Sequence, residues 1–310
     1  MSGNYRGVHL TTILSKIAEK MISINLMLFL QHRAFGENQW AFTPTLSARD
    51  VVTTLVLSWI LAVCAGKKVG TWLSDISGAF DRVFKPYLLA KLNGFGVGPL
   101  FLNFLDSYLS PRQGQVVVQG AFSDLFTIAD SVFQGTVMGP MLWNSFFSDV
   151  AIPAKCAGGS EKMFADDLSV FQEFDRSTPV PECKAKLSQC ESQVHKWGRQ
   201  NRVTFDAAKE HTVILHPLEW HGEAFKLLGC MIDPDMRMRS AVEQVLSKIR
   251  PKITAILRTR GYYSTPNLIF QFKTHIWGLI ETNMGACFHA CSSSLGKIDA
   301  AQTDSCVNWT

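Results

Sequence analysis

The sequence predicts an α+β protein with a mixed first part and an all-helical end. Three observations predict it. Apolar residues recur at helical spacing near the start and again near the end of the chain. Between them, short apolar runs bounded by Gly, Pro and Asn read as strands. After Met236 those strand signals stop, so the sequence places a domain boundary there: residues 1–235 and residues 236–310.

The N-terminus reads as a short strand followed by a helix. Leu10, Leu14, Ile17, Met21, Ile24 and Leu28 recur at alternating fours and threes on one helical face, and Thr11 or Thr12 can cap it. Ser47-Ala48-Arg49-Asp50 resembles a capping box that opens an uncharged helix ending near Gly66, with Lys67-Lys68 at its C-terminus. Val69 to Ile76 reads as a buried strand. Pro86 suits the first turn of a helix from Tyr87 to Leu92, and another short helix runs through Leu109. Gln115–Gln119 and Leu125–Ser131 read as a hairpin, followed by an apolar helix over residues 136–152.

Met163 to Phe174 reads as a second hairpin, then a polar helix covers Cys183–Gln200. Thr212–Leu215 and Phe225–Ile232 read as strands. Val242, Val245, Leu246, Ile249, Ile253, Ile256 and Leu257 hold helical spacing despite Pro251, and a second helix runs from Pro266 to Glu281.

Composition narrows the class. The 310 residues are 47% hydrophobic and 18% charged, which excludes a disordered chain. The net charge of +4 permits a polyanionic partner without requiring one. Eight cysteines show no CxxC pair, so neither a zinc ribbon nor a disulfide framework is indicated; Cys287-Phe-His289-Ala-Cys291 lacks a fourth ligand at finger-like spacing. Lys16, Glu19 and Lys20 interrupt the first apolar stretch, so a secretory signal is not expected. The uncharged run from Val51 to Gly66 is short for a membrane span. The expectation is an intracellular protein, nuclear or cytoplasmic, without a membrane segment.

The chemistry gathers at Phe164-Ala165-Asp166-Asp167, two adjacent carboxylates on a presumed turn, and at Asp75, which closes an apolar run. Acidic residues at strand ends, without His or Cys at ligand spacing, suit a hard cation such as magnesium. Phosphoryl transfer to a 3′-hydroxyl uses two metals about 3.5–4 Å apart, held by carboxylates from separate segments. Asp75 and Asp166 meet that need if their strands lie side by side, with Asp167 in support. Asp81 equally suits a helix cap.

In order and combination, these stretches resemble the reverse transcriptase domain of non-LTR (LINE-type) retrotransposons. Asn4-Tyr5-Arg6-Gly7-Val8-His9-Leu10 looks like that family's opening motif, and Gln39-Trp40-Ala41-Phe42 with Ser47 its next. Asp75-x-x-x-Ala79-Phe80-Asp81 matches the first catalytic motif. Gln134-Gly135-Thr136-Val137-Met138-Gly139-Pro140-Met141-Leu142-Trp143-Asn144 resembles the nucleotide-facing motif, and Phe164-Ala165-Asp166-Asp167 the catalytic turn. Lys209 and Leu228-Gly229 fall where two later motifs belong.

The resemblance implies a right-hand polymerase architecture: fingers and palm over residues 1–235 (fingers mainly 1–68 with part of 93–133), and a helical thumb over 236–310. It implies RNA-directed DNA polymerisation on an RNA template and a DNA primer, from deoxynucleoside triphosphates, with two Mg2+ ions (Mn2+ as substitute). Asp75, Asp166 and the Ile76 carbonyl would hold the metals, and Asp167 would complete the acidic cluster. Phe80 would exclude a 2′-hydroxyl. Gln134, Gly135 and Arg6 would contact the nucleotide, and Lys209 would assist pyrophosphate departure. Lys248, Arg250, Lys252, Arg258, Arg260 and Lys273 would meet the duplex; from Arg239 to His275 seven Lys/Arg stand against one acid, Glu243.

Departures from the family pattern are Gly7 for Pro, His9 for Ser and Thr43 for Arg. The expected upstream extension and endonuclease are missing, so the sequence reads as an excised core or the product of a decaying element. A catalytically idle nucleic-acid-binding remnant is the competing reading. A nucleotide cyclase is disfavoured by Gln134-Gly135 and the basic helices.

Overall fold

The computed structural model describes residues 9–128 and 132–307, with side chains to residue 303. Helix α1 (Ile13–Arg33) is capped by Thr12, whose hydroxyl accepts from the Ser15 N–H at 3.3 Å. Helix α2 (Ala48–Cys64) opens on the expected box: Asp50 accepts from the Ser47 N–H at 2.8 Å and from the Ser47 hydroxyl. Strand β1 (Lys67–Ser74) begins at once, so Lys67 and Lys68 belong to a strand rather than a helix end. Lys68 is buried and pairs with Glu219 at 3.0 Å, which offsets the cost of burying its charge.

A short 3-10 turn (Ala79–Arg82) leads to α3 (Lys85–Gly94) and α4 (Pro99–Tyr108), each with proline in its first turn. The predicted hairpin is shorter and nested. Strand β2 (Arg112–Gly114) pairs with β5 (Phe126–Ile128), and β3 (Val117–Val118) with β4 (Ala121–Phe122) inside it. Gln119 and Gly120 make its tip at φ 50° and 83°.

The apolar run over residues 136–152 forms α5 (Gly139–Phe147), a 3-10 turn (Ser148–Val150) and α6 (Ala151–Cys156) instead of one helix. Thr136 delays the start: its hydroxyl accepts from the Gly139 N–H at 3.2 Å and donates to the Phe133 carbonyl at 2.7 Å.

Strands β6 (Ser160–Phe164) and β7 (Asp167–Asp175) form the second predicted hairpin, followed by α7 (Val180–Asn201) and β8 (His211–Leu215). Strands β9 (Phe225–Leu227) and β10 (Cys230–Ile232) pair antiparallel about Leu228 and Gly229, both at positive φ. The end is helical, as expected: α8 (Arg239–Thr259) runs through Pro251, then α9 (Thr265–Phe272), a π-helical turn (Lys273–Trp277) and α10 (Gly278–Cys287). Helix α11 (Ser292–Val307) was not foreseen, because its small and polar residues carry little periodicity.

The main sheet has four strands in the order β6-β7-β1-β8. Lys67 at the start of β1 pairs at 2.7 Å with Glu173 near the end of β7, so these neighbours run antiparallel.

The chain divides into two compact units. One comprises residues 1–45, 73–170 and 188–210. Its core holds Leu88, Leu92, Leu105, Trp143, Phe146 and Phe147, all buried. Here α1 departs from expectation. Its buried residues are Glu19, Ser23, Leu26 and Leu30, while Leu14, Ile17, Met21, Ile24 and Leu28 are all more than half exposed. The periodic apolar stripe faces outward because Glu19 is drawn inward: its carboxylate accepts from the Val137 N–H at 2.8 Å and the Met138 N–H at 3.4 Å.

The other unit comprises residues 46–72, 171–187 and 211–310. Helix α10 lies against α2 with Gly285 at the contact; a Cβ there would stand 2.6 Å from the Thr53 hydroxyl. Gly70 in β1 similarly makes room for Leu187 and Phe174, which pack with Cys183 and Ile214.

Candidate active site

Asp75 directly follows β1, and Asp167 is the first residue of β7. The antiparallel pairing of these neighbours brings the end of β1 to the start of β7. Asp75, Asp166 and Asp167 therefore stand at the same end of the sheet. All three are half-buried.

The turn carrying Asp166 is short. Ala165 and Asp166 alone separate β6 from β7, and Ala165 adopts φ 58°, the left-handed region where a side chain costs energy. Three bonds hold it there. The buried Gln39 side chain accepts from the Ala165 N–H at 3.0 Å and donates to its carbonyl at 3.2 Å. The Trp143 indole N–H donates to the same carbonyl at 3.1 Å. Trp143 also stacks on Phe80, with ring centroids 5.8 Å apart at 27°. One chain of contacts thus links Phe80 to the aspartate turn. Gln39 and Trp143 were read from the sequence only as parts of motifs; their positioning roles are visible only once the turn is built.

Asp75 is bracketed by a second segment. The Asp206 N–H donates to the Asp75 carbonyl at 2.9 Å and the Ser77 N–H to the Thr204 carbonyl at 3.1 Å, the two bonds of an antiparallel bridge between Ile76 and Phe205. In such a bridge the central residue turns its own carbonyl away from the partner. The Ile76 carbonyl is therefore directed away from residues 204–206. Lys209 donates to Asp75 Oδ2 at 2.5 Å and lies 3.5 Å from Asp206. The bond to Asp75 is the main cause that raises the lysine's pKa above its ordinary value.

Gln134 is half-buried, and its carbonyl accepts from the His9 N–H at 3.0 Å. Gly135 is exposed at φ 93°, a conformation that favours glycine. Arg6 lies outside the described residues, as does Gly7.

The residues fit a hard divalent ion by donor type: three carboxylates and a backbone carbonyl, all oxygen, with a cation already accommodated on Asp75 in the form of the Lys209 ammonium. Among the described residues, Asp75, Asp166 and Asp167 do not gather their ligand atoms within 4.8 Å of one another. Among the described residues, the group of three ligand atoms that does lie within 4.8 Å is Glu191, His195 and Glu210. At the opposite extreme, Cys287 is buried, its thiol pushed up to about 11 by burial, and it donates to the Asn283 carbonyl; His289 contacts the Met236 carbonyl instead.

Lys248, Arg250, Lys252 and Arg258 lie on α8, Arg260 just after it, and Lys273 in the π-helical turn; all but the half-buried Lys248 are exposed. Lys252 lines an open cavity of about 310 Å³ with Thr259, Tyr263, Gln271 and His275. No helix among the described residues is long and apolar enough to cross a membrane.

Comparison with known proteins places the chain in a class. Residues 1–232 match the family described as "Reverse transcriptase (RNA-dependent DNA polymerase)". The chain belongs to that family, whose membership implies use of a divalent metal. It is 24% identical to the probable RNA-directed DNA polymerase from transposon X-element of Drosophila melanogaster, over 96% of this chain and 35% of that protein. It is 25% identical to the RNA-directed DNA polymerase from mobile element jockey of Drosophila funebris, over 87% of this chain and 31% of that protein. The chain thus spans about a third of the length of these curated relatives. The fold is similar to apo telomerase from Candida tropicalis truncated of its C-terminal domain, at TM-score 0.51 and 9% identity, covering 71% of this chain and 44% of that one. The expected α+β, right-hand polymerase architecture and the mobile-element reverse transcriptase resemblance are both borne out.

Proposed function

We propose that this chain is the polymerising core of a mobile-element reverse transcriptase, adding deoxynucleotides to a DNA primer on an RNA template. The observation that carries the reading is that β1 and β7 are antiparallel neighbours, so that Asp75 and the Ala165–Asp166 turn stand at the same end of the sheet, within a chain of this family. Residues 1–235 act as fingers and palm, and 236–310 as the thumb.

Asp75, Asp166 and the Ile76 carbonyl would hold two Mg2+ ions, with Mn2+ as a substitute, and Asp167 would add negative charge beside them. Bound there, the metals supply activation of the primer hydroxyl and stabilisation of the leaving pyrophosphate. Phe80, braced by Trp143, occupies the space of a ribose 2′-hydroxyl. Gln134, Gly135 and Arg6 contact the nucleotide. Lys209, whose bond to Asp75 keeps it protonated, would donate a proton to pyrophosphate once substrate binding releases it. The basic residues of α8 and the π-helical turn contact phosphates of the template–primer duplex, an electrostatic and salt-dependent attraction.

The test is primer extension on an annealed RNA template with magnesium and deoxynucleotides. Extension that vanishes in Asp166→Ala is expected. A folded wild type that binds the duplex without extending it would instead mark an idle remnant.

A further inference from the structure

Two adjacent rungs tie the end of β1 to the segment preceding β8. One is the Asp75–Lys209 pair already described. The other lies one residue back on β1 and one residue on from Lys209. The hydroxyl of Ser74, a buried residue, donates to Glu210 Oε1 at 3.1 Å. The same Oε1 accepts from His195 Nε2 at 2.7 Å. Glu210 is well enclosed, its side chain 13% exposed, and His195 stacks on Phe205, the residue bridged to Ile76.

From this arrangement we infer that Glu210 is a positioning residue for the catalytic aspartate. Its bonds go to Ser74 and His195, and it is not among the residues assigned above to metal or substrate. It acts by fixing Ser74, and through it the register in which Asp75 leaves the sheet and meets Lys209. Residues 204–206 hold the backbone of residues 75–77, and the Glu210 rung adds a side-chain hold on the last residue of β1. The Ser74–Glu210–His195 bonds anchor it to α7, which carries His195. The bond type matters rather than the charge, because each contact needs only an acceptor oxygen at Oε1.

The inference rests on the polymerase reading, and its test separates the two. In the full chain, Glu210→Ala is compared with Glu210→Gln and Ser74→Ala. Misplacing a catalytic group by about 1 Å costs on the order of 100-fold, so kcat for extension is expected to fall about 10- to 100-fold in Glu210→Ala. KM for deoxynucleotides and affinity for the duplex stay unchanged. Glu210→Gln, which keeps the acceptor, restores kcat to within about threefold, and Ser74→Ala adds little to Glu210→Ala because both cut one rung. Unchanged kcat, equal loss in the Ala and Gln variants, or fully additive losses overturns the inference. A readout independent of activity is amide hydrogen exchange. Glu210→Ala is expected to speed exchange at Ser77 and Asp206 beyond what its loss of global stability explains. Unaltered exchange there overturns the inference even if the wild type does not polymerise, whereas absent extension with accelerated exchange sinks only the polymerase reading.

Discussion

Gln39 grips Ala165 at both ends of its peptide, accepting from the N–H at 3.0 Å and donating to the carbonyl at 3.2 Å. A third bond, from the Ala41 N–H to Gln39 Oε1 at 3.1 Å, keeps the amide oriented. The side chain thereby stabilises a left-handed residue next to Asp166 that has no glycine to ease it. Gln39→Ala leaves buried polar groups unpaired, at about 1–3 kcal/mol. Urea unfolding should show that loss, and extension should weaken further than stability explains. Wild-type extension kinetics in this variant would show that Asp166 is held by other means.

Phe80 has one face on Trp143 and is only half-buried. Phe80→Ala is expected to admit ribonucleotides, measured as the ratio of kcat/KM for deoxy- and ribonucleotides. Trp143→Phe keeps the ring but removes the indole donor to Ala165, so it should slow extension with the sugar preference intact. Unchanged sugar selectivity in Phe80→Ala would dismiss it as the gate.

Glu19 is buried, 3% exposed, and its carboxylate takes two backbone N–H groups at the entry to α5. Glu19→Ala strands both donors and should cost about 1–3 kcal/mol in urea unfolding. Ile17→Ser, two residues away on the exposed stripe, should cost under about 0.5 kcal/mol. Equal losses at the two positions would contradict the inverted orientation of α1.

Cys291 is exposed at the start of α11, and its thiol is brought down to about 7 by hydrogen bonding with Ser293 first and then with Ser294. The thiolate is the nucleophile, so a lowered pKa means reactivity is present above about pH 7 and lost below it. Alkylation by iodoacetamide, followed by mass spectrometry, should titrate with a midpoint near 7 at Cys291. Ser293→Ala should move the Cys291 midpoint upward.

Much of the fold was legible because it rests on local rules. The capping box at Ser47–Asp50, Pro86 in the first turn of α3, the β6–β7 hairpin and the helical end all follow from short-range geometry and periodicity. The candidate site was legible as an ordered set of motifs. What escaped was decided by contacts distant in sequence. The stripe of α1 was read from its spacing, but nothing in that spacing tells which side of a helix meets the core. Gln39 lies 126 residues from Ala165 and Ser74 lies 136 from Glu210, so neither pairing carries a local signal.

The sequence by itself determined the α+β class, the order of the elements and the carboxylates available for metal chemistry, since residue type and period suffice for each. The tertiary structure alone decided how those carboxylates are held. Ala165 stays left-handed because Gln39 and Trp143 bond it, and Asp75 keeps its place because β1 is bridged to residues 204–210. A strained turn and a carboxylate at a strand end persist only where surrounding bonds outweigh their cost, and the chain supplies those bonds only after it has folded.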